Sequence, residues 1–147
     1  MNVKQHLASL TAFYGDGADG AAPTPAQWRR VLEREESQPF ALINFFKFRT
    51  YADYGAGKDR DLTGAAAFDL YAEVSVPAME RAGGAFLAVA PFGGTFLGGD
   101  EDWDLVAIGK YPNLTAFLAL YEDEAYQAAF HHRTAAVAKQ VVGIMKI

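Results

Sequence analysis

The sequence predicts an α+β domain of the ferredoxin-like kind: the order βαββαβ, with four antiparallel strands, two helices on one face, and a helical extension ahead of it. Three observations predict this. Four short runs are rich in branched and aromatic residues: "ALINFFKF", "AFLAVAPF", "WDLVAIGKY" and "VVGIMKI". They are too short for independent helices and read as strands. Segments with helical spacing separate the first run from the second and the third from the fourth. Finally, the strands carry apolar residues on both faces, as expected of a sheet with neither face in water.

Taken in order, Val3, Leu7, Leu10 and Phe13 recur at helical spacing and predict a first helix. "GDGADGAAP" follows and reads as a mobile linker. In "TPAQWRRVLEREES", Thr24 is suited to cap a helix, Pro25 to begin it, and Gln27 to complete a capping box with Thr24. Trp28, Val31 and Leu32 form the apolar side of that helix. Strand one spans Ala41 to Phe48, and a polar loop is expected to run to Leu62. Thr63 then caps a helix through Ala82, with Phe68, Tyr71, Ala72, Ser75 and Met79 along one side. Pro77 inside it predicts a kink, and Gly83 and Gly84 end it. Strand two covers Ala85 to Phe92, and "GGTFLGGD" reads as a bend or a further short strand. Strand three covers Trp103 to Tyr111. Asn113 caps a helix over "LTAFLALY", and a second helical piece is expected from near Asp123 to near Gln140. "VVGIMKI" is strand four. The expected division is a helical extension over residues 1–38 and a ferredoxin-like domain over 39–147.

The chain of 147 residues fits one domain. At that length about 68–70% of the unfolded surface is buried on folding, so neither a metal nor a disulfide is needed to hold it. Hydrophobic residues make up 51% and aromatic residues 14%, and the net charge is −5. The acidic balance argues against a nucleic-acid partner. There are no cysteines, which excludes disulfide and thiolate chemistry. "MNVKQHLASLTAF" has no signal-peptide pattern and no stretch approaches a membrane span, so a cytoplasmic protein without a membrane partner is expected.

The helices can cover one face of the sheet. Four strands of about five residues make a second face of roughly 300 Å². Burying it is worth about 8 kcal/mol as a gross upper figure. Two covers are open: a second copy that adds its own sheet in a two-fold dimer, favoured here, or the N-terminal helices folded back over it.

The stretch "ALINFFKFRTYADYG" resembles the opening strand of the domain-of-unknown-function 1330 family, through Asn44, Lys47, Phe48, Arg49 and Tyr54. Tyr71 and "VPAMERAGG" match the first core helix, and "YPNLTAFLALYEDEAYQAAFHHR" the last helical region, with Tyr121, Tyr126 and Arg133 as its marks. The resemblance covers about residues 39 to 147. It implies a homodimeric α/β barrel. Relatives on that barrel include cofactor-free monooxygenases, haem-degrading enzymes and lyases, and fold alone does not choose among them.

Several residues are candidates for a site, each with a plainer reading. Asn44 interrupts an apolar strand and either lines a pocket between sheet and helices or bonds a loop backbone. Lys47 and Arg49 either hold an anionic substrate group or are solvated, or paired with Asp53, Asp59 or Asp61. On the last helix Tyr126, Phe130, Arg133 and Val137 share one face. Arg133 therefore either faces a cavity or is tied to Glu122, Glu124 or a strand end. His132 is either a general base or a partly buried side chain, and His131 faces solvent. The adjacent histidines lack the spacing of a helical metal site, so no metal is expected. Tyr51, Tyr54, Tyr71, Tyr121, Tyr126 and Trp103 suit a ligand pocket or a dimer interface.

The functional expectation is a small-organic-molecule binder with no tightly bound cofactor. As an enzyme it would run acid–base chemistry of the lyase, isomerase or oxygenase type. Asn44 and Arg133 would then meet an oxyanion, His132 or Tyr54 would handle the proton, and Lys47, Arg49, Tyr71 and Tyr126 would bind substrate. A non-catalytic dimeric binding or assembly module and a haem-binding protein are the alternatives.

Overall fold

The computed structural model describes residues 1–147. Its elements run α1 (Val3–Tyr14), α2 (Pro25–Leu32), β1 (Phe40–Phe48), β2 (Tyr51–Asp53), β3 (Lys58–Thr63), α3 (Gly64–Ala82), β4 (Ala85–Pro91), β5 (Leu105–Tyr111), α4 (Leu114–Tyr121), α5 (Glu124–Ala136) and β6 (Val137–Lys146). β4, β5, β1 and β6 form one antiparallel sheet in the order β4-β5-β1-β6. This is the expected α+β plan, with each helical connection skipping over one strand.

The caps lie where the sequence places them. Thr24 accepts from the Gln27 backbone while the Gln27 side chain accepts from the Thr24 N–H, closing the capping box at Pro25. Thr63, Asn113 and Asp123 cap α3, α4 and α5 through side-chain oxygens. Gly83 ends α3 with φ 95°, a left-handed conformation that favours glycine. Pro77 lies inside α3.

Two elements depart from expectation. The segment read as a polar loop before Leu62 contains a two-stranded hairpin, β2 with β3. Its second strand, "KDRDLT", is nearly all exposed, so no apolar alternation announced it. The last helix ends at Ala136, not near Gln140, and the chain enters β6 directly. The Arg49 N–H donates to the Ala136 carbonyl at 2.8 Å, taking an acceptor from the end of α5 into the sheet region. Gly64 permits this convergence: a Cβ there would lie 2.1 Å from the Arg49 carbonyl oxygen and 2.8 Å from that of Ala136.

Strand pairing sorts the side chains. Phe40, Leu42, Asn44 and Phe46 lie opposite Tyr111, Gly109, Ala107 and Leu105 of β5, and opposite Lys146, Ile144, Val142 and Gln140 of β6. This is the face covered by α3, α4 and α5, because Leu42, Phe46 and Ala107 share a core with Phe68, Tyr71, Phe117 and Phe130. The other face carries Ile43, Phe45, Val106, Ile108, Val141 and Met145. Only its end is capped, where Trp103 lies 5.8 Å from Phe45 and Lys139 Nζ sits 4.2 Å above the indole.

The N-terminal helices do not cover that second face. They pack on the helical side: Leu10, Trp28, Val31 and Leu32 join the main core, and Leu10, Trp28 and Leu32 are each 1% exposed. Trp28 meets Tyr14, Phe117 and Tyr121 edge-on or tilted, at 5.5–6.3 Å between centroids. The Tyr14 hydroxyl donates to the Tyr121 carbonyl at 2.6 Å. Of the two covers weighed from the sequence, the folded-back helices are ruled out, and one chain leaves its sheet open.

Candidate functional site

α5 begins at its Asp123 cap, and its stripe of Tyr126, Phe130 and Arg133 points at the sheet. All three are buried, Arg133 to 7% exposure. The Arg133 guanidinium lies 4.9 Å from the Phe46 ring, 5.4 Å from that of Phe130 and 5.7 Å from that of Tyr71. Arg133 Nε and Nη2 donate to Gln140 Oε1 at 3.1 and 2.9 Å, and Nη1 donates to the Tyr71 hydroxyl at 3.2 Å. Tyr71 and Tyr126 hydroxyls share a further bond at 2.6 Å. The ties to Glu122 or Glu124 that the sequence allowed are not made; the bond is to a strand, through Gln140.

Every partner of Arg133 is neutral. No carboxylate pairs with it. Burial lifts the phenols of Tyr121 and Tyr126 above their ordinary range, so they remain protonated and supply no negative charge. Burial opposes the charge on Arg133, while its hydrogen bond to the Tyr71 hydroxyl favours the charged form, and the guanidinium stays protonated. A guanidinium has five N–H groups. Three are engaged here, leaving one on Nη1 and one on Nη2.

Arg133 separates two cavities, which also share Leu42 and Tyr121. The smaller, about 90 Å³, lies between sheet and helices and is lined by Asn44, Tyr71, Tyr126 and mostly apolar neighbours. That is room for about three waters. Asn44 Nδ2 donates to the Ala107 carbonyl at 3.0 Å and more weakly to that of Leu42, while its Oδ1 accepts no bond from the protein. The larger cavity, about 500 Å³, falls in the size range of small-molecule pockets. Its walls are Gly17, Gly20 to Thr24 and α2, Gln140 to Ile144 of β6, and Phe117, Tyr121 and Phe130. Gln140 joins the two walls, since its Nε2 donates to the Gly20 carbonyl at 3.3 Å.

Of the residues singled out from the sequence, Asn44, Tyr71, Tyr126 and Arg133 come together. Lys47 does not join them: it projects from the open face and pairs with Asp102 at 3.0 Å and Asp104 at 3.3 Å, not with Asp53, Asp59 or Asp61. The hydrogen bond to Asp102 raises the pKa of Lys47. Arg49 is exposed and lines neither cavity. Tyr54 and His132 do meet, with the Tyr54 hydroxyl 2.6 Å from His132 Nδ1, but on the outer side of α5 and outside both cavities. His131 is exposed beside them, its ring 4.0 Å from that of His132. Gln140, Trp28 and Gly20 were not singled out for the site. Gln140 was read as the end of a helix, and the other two belong to a segment whose partners lie about a hundred residues away.

Burial, and next the charge of His131, lower the pKa of His132 below its ordinary 6.5. The neutral form is therefore favoured by folding, and this contribution is present above pH 6.5 and lost as pH falls through the lowered value. A two-dimensional NMR titration should place the midpoint of His132 below that of a free histidine, and a midpoint at or above 6.5 would contradict this environment.

Two solved structures resemble this chain. The crystal structure of methylated RPA0582 protein matches with a TM-score of 0.78 and 31% identity, over 86% of this chain and 93% of that one. A second crystal structure, of the RPA0582 protein of unknown function from Rhodopseudomonas palustris, a structural genomics target, matches with a TM-score of 0.77 and 30% identity, over 86% of this chain and 95% of that one. No curated protein matches. The family model described as "Domain of unknown function (DUF1330)" matches residues 58–147, from β3 through the whole of α5 and β6. That stretch contains Tyr71, Tyr126, Arg133 and Gln140, and the chain belongs to this DUF1330 family.

Proposed function

We propose that this protein binds a small organic anion whose acidic head meets Arg133, with its body in the larger cavity. One observation carries the reading: a buried guanidinium with neutral partners only, at the wall of a cavity of about 500 Å³. Taking a charge out of water costs several kcal/mol, and a buried charge is ordinarily paired. A ligand carboxylate or enolate would supply the missing charge through the two unused N–H groups. The smaller cavity, with the free Asn44 oxygen, has room for a substituent or for waters.

The reading is one of binding. Tyr54 and His132 lie apart from both cavities, so a ligand at Arg133 gives them no proton to move. No histidine lines either cavity, so the haem alternative finds no axial histidine there.

The second part of the proposal is a homodimer joined through the open sheet face. Ile43, Phe45, Val106, Ile108, Val141 and Met145 form that face, and nothing in the chain covers it. Val141 is 54% exposed and Leu87, on the edge strand, 55%. A contiguous apolar sheet face of this kind marks an interface.

Isothermal titration with an aromatic acid and its amide tests the site. Phenylacetate should bind the wild-type chain at least about tenfold more tightly than phenylacetamide, and Arg133→Met should abolish the difference. Equal affinity for the two probes, or an unchanged preference in the variant, would refute the reading. Sedimentation equilibrium at micromolar concentration should return twice the mass of one chain, and a stable single chain would refute the dimer.

A further inference from the structure

We infer that the ligand carries a second anionic group, received by Arg30 at the mouth of the larger cavity; this rests on Arg133 taking the first. The natural class is a dicarboxylate with an apolar body between its acids.

Four observations lead there. Arg30 lines the same cavity as Arg133 but is exposed, so the cavity has one cation within and one at its opening. Arg30 makes no ion pair, so its charge is available to an anion at the mouth. No aspartate or glutamate lines the cavity, although the chain has 18 acids against 13 bases. A pocket with two cations and no acid in a protein of net charge −5 is a local reversal of sign, and it draws anions against the field of the whole molecule. Lastly, much of the cavity wall is apolar, with Trp28, Val31, Leu42 and Ile144 in it, which suits a hydrocarbon body.

Arg30 is placed by the sequence around it. The capping box of Thr24 and Gln27 starts α2, and burial of Trp28 and Val31 fixes its rotation. Arg30 therefore projects from a helix that is locked to the core, and its long side chain needs only to bend toward the mouth. It lies outside the stretch matched by the family model, whereas Arg133 lies within it.

The test compares para-phenylenediacetate, phenylacetate and phenylacetamide on the full-length protein by titration calorimetry at low salt. The diacid should bind at least about fivefold more tightly than the monoacid, and added salt should erode that margin. Arg30→Gln, a change at an exposed position, should bring the diacid to within about twofold of the monoacid, lowering diacid affinity by more than it lowers that of phenylacetate. If the diacid has no advantage in the wild type, or keeps its advantage in Arg30→Gln, the inference about Arg30 is overturned. A surviving preference for phenylacetate over phenylacetamide would then leave the Arg133 reading standing. If neither acid is preferred over the amide, both fall together.

Discussion

A single buried charge organises the interior of this protein. Arg133 reaches from α5 to the sheet and touches Phe46 of β1, Tyr71 of α3, Phe130 of its own helix and Gln140 of β6. Four elements are thus oriented about one guanidinium. Aromatic faces and neutral oxygens stabilise a cation, yet they do not neutralise it. The charge is kept because its helix face, its pairing with Gln140 and its aromatic surround all hold it in one place. A pre-positioned donor of this sort needs little reorganisation when an anion arrives.

The N-terminal segment has two roles in this arrangement. Its buried side chains, Leu10, Trp28 and Leu32, complete the core that α4 and α5 begin. Its connecting residues, from Gly17 to Thr24, form the wall facing Arg133 across the larger cavity. The family-matched stretch supplies the cation, and the extension supplies much of the enclosure. Both roles lie on the helical side, which leaves the opposite face of the sheet free for a second copy. The proposed interface lies on that open face, and it meets the cavity only at the edge strand β6, where Val141 belongs to both.

Much of this was legible in the sequence because the signals are local. The capping box at Thr24 and Gln27, the caps at Thr63, Asn113 and Asp123, and the left-handed Gly83 each depend on a few adjacent residues. Arg133 could be placed on a buried stripe from helical spacing alone. What escaped was what depends on distant pairing or on a weak local contrast. In "AAVAKQVV" no glycine or proline separates helix from strand, so Gln140 was read as helical and its grip on Arg133 went unseen. The β3 strand is charged along both faces and offers no apolar alternation. Trp28 looked peripheral because its partners, Phe117 and Tyr121, are far off in sequence. Tyr54 and His132 are in contact, but no periodicity brings them together or tells that they meet outside the cavities.

On the binding proposed above, Arg133 serves a ligand and not the stability of the empty protein. A buried charge with no counter-ion carries an uncompensated desolvation cost, and relief of that cost by an apolar side chain of similar volume offsets the lost bonds to Gln140 and Tyr71. The direct measurement is the thermal midpoint of the ligand-free Arg133→Met variant beside the wild type, followed by circular dichroism. The account predicts a midpoint equal to or above that of the wild type. A fall of more than about 8 °C, the scale of a loss of roughly 2–4 kcal/mol in a domain of this size, would contradict it and make Arg133 a structural residue.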